Sequence, residues 1–263
     1  MTRKKNTLIW QFQKEGSDNC NYLIGTMHVR DERAFQFEEM FKTAILKCSQ
    51  FATELNLDEA ENLDMVSVTT YPNGTTLSHL IANKVYKKID AVLQKQTGVG
   101  LAQFEIYHPI MVTNFLTESL LSKDRWHSLD TMLWHFAKEN GKILRGVETT
   151  DEQMSVLKKM SVEEQLKGLR EMVSHFSKFR KQIQHMARLY EQADIQKLYK
   201  EAKKSTRGSR QLLLYKRNII MAERLSDMAD EGSICAAIGA GHLAGSKGVL
   251  RLLKKKGYDI TPI

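Results

Sequence analysis

An α/β fold with a sheet built from both ends of the chain is what this sequence predicts, and three observations carry the prediction. Near the amino end, strand-like, helical and strand-like segments follow one another, the order of a βαβ unit with a parallel pair. Near the carboxyl end, Ile234 to Ile238 is an unbroken apolar run of the kind buried on both faces of a parallel sheet. Between them helical periodicity dominates, and only 3 prolines in 263 residues stand to interrupt it. The expectation is a parallel or mixed sheet flanked by helices, in one domain spanning 1–263. A helix-rich insertion at roughly 58–230 would carry one core strand near 142–147.

In chain order, Thr7 to Gln13 alternates, turns at Gly16-Ser17-Asp18-Asn19, and returns as Cys20 to Ile24, a hairpin that runs into Gly25. Asp31 reads as an N-cap for a helix presenting Ala34, Phe37, Phe41, Ala44, Ile45 and Cys48 on one face. Phe51 to Leu55 is a short strand. Helical pattern follows from Asp58 to Lys142, broken by a turn at Tyr71-Pro72-Asn73-Gly74. After the strand Lys142 to Val147, Thr150 with Gln153 reads as a capping box, and Ser161 with Glu164 as a second. The second opens a stripe of Leu166, Leu169, Val173, Phe176, Phe179, Ile183, Met186 and Leu189, whose period assigns them to helix packing and core. A break at Ser205-Thr206-Arg207-Gly208 precedes a helix from Gln211 to Met228. Gly232 then leads into the apolar strand, a helix rich in Leu and Lys follows, and Gly257 to Ile260 closes as a strand.

Hydrophobic content of 42% with 27% charged residues excludes a disordered or fibrous chain. Net charge is +8, but the Lys and Arg are interspersed with Glu at helical spacing and no stacking aromatics alternate with them. That pattern is a solvated helix face, so no nucleic-acid partner is expected. The 3 cysteines, Cys20, Cys48 and Cys235, are an odd number and read as free thiols of a reducing compartment. No signal peptide and no membrane-spanning run is legible, so a cytoplasmic location is expected. Oligomeric state is open.

Two apolar runs end in the same punctuation: Gly25-Thr26-Met27-His28 and Gly239-Ala240-Gly241-His242. Ligands of a parallel sheet collect beyond the carboxyl ends of its strands, and a glycine there allows a sharp turn or a close approach. Two adjacent strands would thus deliver His28 and His242 to one crevice. Neutral imidazole is the commonest ligand of divalent metals, and a carboxylate commonly completes the set. Glu54, at the carboxyl end of an otherwise apolar strand, is the candidate, with an ion-pair role as its alternative. Glu148 stands at the end of the Lys142 to Val147 strand. Gly239-Ala240-Gly241 is not a dinucleotide fingerprint, because Gly245 falls one residue too far for the third glycine. The other histidines, His79, His108, His127, His135, His175 and His185, share no ligand spacing with a strand end.

The ordered set Leu8-Ile9-Trp10, Tyr22 to His28, Glu54, Pro72 to Leu77, Gly146 to Thr149 with Glu152-Gln153, Arg217-Asn218 with Met221-Ala222, Gly239 to His242 and Gly257 to Pro262 resembles the TraB/GumN family. That family includes Tiki-type Wnt-cleaving proteases and pheromone-shutdown proteins, and the chain is distantly similar to the erythromycin-esterase and ChaN-like group. The resemblance implies a metal-dependent peptidase site built from two Gly-x-x-His motifs, one glutamate and one arginine. In this sequence those are His28, His242, Glu54 and Arg217, with Mn²⁺ or Co²⁺ as the implied ion and Zn²⁺ as a further choice. Arg217 would bind a substrate carboxylate or stabilise an oxyanion if its helix turns it to the crevice. Glu148, Asn218, Gly25 and Gly239 would back the ligands or line the substrate side.

The expected function is hydrolysis of a peptide or protein substrate, with Glu54 as ligand or general base. Two alternatives stand beside it: a non-catalytic protein that sequesters a peptide or haem, and a metal-independent esterase with a His general base.

Overall fold

The computed structural model describes residues 6–17, 19–62, 69–71, 74–206 and 208–263. Three of the expected turns include positions outside that set: Asp18, Pro72 with Asn73, and Arg207. The described residues fall into two compact units, one within Met1–Glu61, Lys123–Gln153 and Met186–Ile263, the other within Asn62–Ser122 and Met154–His185.

The first unit holds a mixed six-stranded sheet in the order β4-β3-β5-β2-β1-β6. Its strands are β1 (Ile9–Lys14), β2 (Asn21–Thr26), β3 (Gln50–Thr53), β4 (Ile143–Gly146), β5 (Ile234–Gly239) and β6 (Tyr258–Pro262). The four from β4 to β2 are mutually parallel, while β1 runs antiparallel to both β2 and β6. Both chain ends therefore supply strands, and β4 reaches the sheet from the middle of the sequence.

Burial explains the two sequence textures. The central strands β2, β3 and β5 are covered on both faces and are almost wholly buried, which is why they read as unrelieved apolar runs. β1 is nearer the edge and is buried only at Ile9 and Phe12. Phe41, Ala44, Ile45, Phe51 and Trp134 are among the fully buried residues of this core. Pro262 is tolerated in β6 because that strand lies at the sheet edge. The second unit has its own helical core, built on Leu77, Ile89, Leu93, Leu101, Val112, Leu116, Leu166 and Leu169.

Several elements depart from the sequence expectation. Asp31 does accept from the Arg33 amide, but it caps only a 3₁₀ turn, Glu32–Ala34, and the α-helix starts at Glu38. Its carboxylate is held by the Arg33 guanidinium at 2.6 and 2.7 Å, which keeps the cap local. The first capping box sits one residue earlier than expected: Thr149 Oγ1 accepts from Glu152 N, and Glu152 Oε2 accepts from Thr149 N. Gln153 instead donates to Glu148. The Ser161–Glu164 box is present as read. The long stripe is two helices, Val162–Ser174 and Phe176–Glu191, separated at His175. The last long helix opens with a π turn, Gln211–Tyr215, before the α-helix Lys216–Glu231.

Glu152 also takes both guanidinium nitrogens of Arg224, at 2.6 and 2.7 Å, while Arg224 donates to the Val147 carbonyl. This clamp ties the Lys216–Glu231 helix to the segment just after β4. The hydrogen bonds from Arg224 outweigh the opposing effect of burial and hold the Glu152 carboxyl at about 2. A carboxyl depressed by folding adds stability above its unfolded pKa, and that stability is lost as pH falls through the folded value. Denaturant midpoints of the wild type should therefore decline between about pH 4.5 and 2 more steeply than those of Glu152→Gln. Parallel declines for the two proteins would contradict the clamp.

Candidate functional site

The four parallel strands β4, β3, β5 and β2 end on one edge of the sheet, and each supplies a polar group there. Glu148 follows β4, Glu54 follows β3, His242 closes a 3₁₀ turn directly after β5, and His28 follows β2. Thr26 and Gly239 are register partners across the β2–β5 pair, so the two Gly-x-x-His segments leave the sheet side by side.

Two glycines let the backbones close up. A Cβ on Gly25 would stand 2.6 Å from Leu243 Cδ1 and 3.2 Å from Ala240 Cβ, so its absence lets the turn after β5 pack on β2. A Cβ on Gly239 would come within 3.0 Å of Glu54 Oε1, the oxygen that accepts from the Gly239 amide at 2.7 Å.

At the centre lies an ion-pair triad. Arg217 Nη2 donates to Glu54 Oε2 at 2.6 Å and to Glu148 Oε2 at 2.5 Å, while its Nε donates to Glu148 Oε1 at 2.9 Å. The backbone adds a link, Glu148 N to Glu54 O at 2.7 Å. Burial alone would raise the Glu54 pKa, but the neighbouring His242 and Arg217 and the bond from Gly239 hold it at about 2. Arg217 is thus turned inward, to two carboxylates, and not to solvent. The π turn that precedes its helix is the irregularity that a plain helical wheel omits.

The two imidazoles are set differently. His242 is buried, and its Nδ1 lies 2.5 Å from Asn218 Oδ1. Asn218 is fully buried and donates its own amide to the Lys247 carbonyl, which leaves Oδ1 to accept from the imidazole N–H. Burial lowers the His242 pKa, so the ring is neutral at neutral pH. The His28 side chain is 70% exposed, with Nδ1 3.4 Å from Asp130 Oδ2 and 3.4 Å from Ser128 Oγ.

Two adjoining cavities open here, of about 240 and 230 Å³, and Thr26, His28, Glu54 and Gly239 line both. The first is completed by His242 and an apolar wall of Met27, Met186, Tyr190, Leu198 and Ala240. The second extends past Thr53, Leu55, Leu57, Asp130 and Gln153. His28, Glu54 and His242 therefore meet at one cavity, with Arg217 and Glu148 behind Glu54. Among the described residues, however, no three His, Cys, Asp or Glu side chains are gathered into a shell able to hold a metal ion. The donors are engaged by protein partners instead: both Glu54 oxygens accept hydrogen bonds, and each imidazole has Nδ1 facing an oxygen.

Sequence reading missed Asp130, Thr26 and Ser128. Asp130 looks like an ordinary first-turn acid of the Ser128-capped helix Leu129–Glu139, and nothing local distinguishes it. It also assigned Met186 to the core, whereas Met186 lines the cavity. Of the other histidines, His79 bonds Thr76, and His127 and His135 pack ring to ring. Among the described residues no helix is long and apolar enough to cross a membrane.

The family model TraB/PrgY/gumN matches residues 8–262. Metalloprotease TIKI2 of Danio rerio is 23% identical over 313 residues, covering 97% of this chain and 60% of the relative. Metalloprotease TIKI1 of Xenopus tropicalis is 23% identical over 97% of this chain and 61% of its own length. Metalloprotease TIKI homolog of Nematostella vectensis is 24% identical over 91% and 64%. The chain thus spans 60% to 64% of the length of these relatives. No solved structure matches it.

Proposed function

The chain belongs to the TraB/PrgY/gumN family, and on that footing we propose that it is a metal-dependent peptidase whose divalent ion is held by His28, Glu54 and His242. The observation that carries the reading is the convergence of two imidazoles and a buried-strand carboxylate on one cavity at the carboxyl edge of the parallel strands. The relatives, all named as metalloproteases, support it.

The donors suit such an ion in kind. Imidazole nitrogen with carboxylate oxygen matches Mn²⁺, Co²⁺ or Zn²⁺. Around the two cavities and their ion-pair partners, three carboxylates (Glu54, Asp130, Glu148) face one guanidinium (Arg217). Imidazoles bind a cation in their neutral form, and with the rings in that form the carboxylates leave an excess of negative charge for the cation to offset. Asp130 Oδ2, buried and without a hydrogen-bond partner among the described residues, adds to the demand. His28 is the most exposed of the three donors.

When bound, the ion supplies Lewis-acid activation of water and of the scissile carbonyl. The chain's own residues do the rest. Glu54, held below the usual carboxylate range by its neighbours, stays an anion at neutral pH, the form a metal ligand needs. Arg217 fixes its orientation and, with both carboxylates already on it, is a clamp before it is an oxyanion donor. His242 keeps its Nε2 lone pair because Asn218 Oδ1 accepts a hydrogen bond from the ring's Nδ1–H.

The apolar wall beside the ligands indicates which peptides fit. A Leu, Met or Phe side chain loses water against Met186, Tyr190 and Leu198, whereas an acidic one would be buried unpaired. Among peptides that are cut, kcat/KM should favour apolar over acidic residues by about 10-fold or more, and Met186→Lys should erase that preference. Cleavage of a peptide library with Mn²⁺ or Co²⁺, stopped by a chelator, tests the reading as a whole. Turnover that survives strong chelation would replace it with the metal-independent esterase alternative.

A further inference from the structure

One polar atom beside the cavities is left over. Asp130 is only 6% exposed, and its Oδ1 accepts the Thr26 hydroxyl at 2.6 Å. Its Oδ2 is buried and has no hydrogen-bond partner among the described residues, although it faces His28 Nδ1 at 3.4 Å. A buried orphan of this kind in a cavity wall calls for a reason.

His28 supplies one. Its ring is 70% exposed, so packing does not orient it as burial orients His242. We propose that Asp130 is the positioning residue of His28: Oδ2 accepts the Nδ1 proton and thereby keeps Nε2 unprotonated and directed to the cavity. A carboxylate can only accept, and the Thr26 proton is already committed to Oδ1, so the pair is satisfied by one His28 tautomer alone. Ser128 Oγ, also 3.4 Å from Nδ1, can either give or take a proton and does not decide the matter. Asp130 does.

The two Gly-x-x-His segments then share one device built from different parts. Asn218 Oδ1 holds His242 at Nδ1 from the Lys216–Glu231 helix, and Asp130 Oδ2 holds His28 at Nδ1 from the Leu129–Glu139 helix. The negative charge of Asp130 additionally makes the His28 ring more basic toward a cation. The tautomer assignment requires the 3.4 Å approach of His28 Nδ1 to Asp130 Oδ2 to close into a hydrogen bond, while its use in ion binding rests on the function proposed above.

Long-range ¹⁵N–¹H spectra of the full chain, labelled at histidine and kept free of metal with the rings neutral, read the tautomer directly. The His28 signals are those lost in His28→Gln. The expected wild-type pattern is protonated Nδ1 and unprotonated Nε2, and a protonated Nε2 overturns the proposal whatever the variants do. In Asp130→Asn the amide oxygen keeps the Thr26 bond and the NH₂ turns toward His28, so the proton should move to Nε2. An unchanged pattern in a folded Asp130→Asn overturns it as well. Mn²⁺ titration of the same samples should show affinity falling about 10- to 100-fold in Asp130→Asn. A wild type that has the expected tautomer but binds no divalent ion would refute the metal reading and leave the role of Asp130 intact.

Discussion

Arg217→Met should lower folding stability by about 3–5 kcal/mol, because it strips two carboxylates of the cation they share. Glu148 is 2% exposed at its side chain and Glu54 25%, so neither can recover its lost partner from bulk water at little cost. Urea unfolding at neutral pH measures the effect. The penalty should shrink on acidification, since a protonated Glu54 no longer needs a counter-charge. Adding Glu54→Gln and Glu148→Gln to the Arg217→Met background should recover much of the loss, as removing a whole buried ionic cluster is far less costly than removing one member. A stability change under 1 kcal/mol in Arg217→Met, roughly the value of an exposed pair, would show that the triad is solvated in solution.

The second large effect is on turnover. His242→Ala should cut metal-stimulated peptide cleavage by on the order of 100-fold or more, beyond what loss of a residue behind the ligands costs. Stability should change less than in Arg217→Met, because only Asn218 Oδ1 is left without its partner, at about 1–3 kcal/mol. Asn218→Leu should act in the same direction more weakly, since the ring stays but its tautomer is no longer held. Steady-state kcat/KM at saturating Mn²⁺ separates the two. Equal activity of His242→Ala and wild type would remove His242 from the chemistry.

Much of this architecture is legible in the residues, and the places where it is not have identifiable causes. Ile234 to Ile238 announces a strand buried on both faces because no polar residue interrupts it, and Ser161 with Glu164 announces a helix start because both halves of the box are present. The strand-end echo at His28 and His242 is readable for a similar reason: glycine before a turn and a polar residue after it stand out against an apolar run. Glu54 stands out likewise. Arg217 does not, since a cation on an amphipathic helix reads as solvent-facing until the π turn and the carboxylates behind β3 and β4 are seen. Asp130 is legible only in three dimensions, because helix-dipole logic accounts fully for an acid in a first turn. The shift of a capping box from Thr150 to Thr149 has a tertiary cause: Glu152 is also recruited by Arg224, and Gln153 by Glu148.

Equilibrium binding of Mn²⁺ or Co²⁺ to the purified chain, compared with His28→Ala and His242→Ala, probes the shared cation site without reliance on finding the right peptide. One ion per chain in the wild type, with binding sharply weakened in both variants, is the predicted result. Undiminished binding in both variants, alongside intact folding, would contradict the claim that these two strand ends serve one centre.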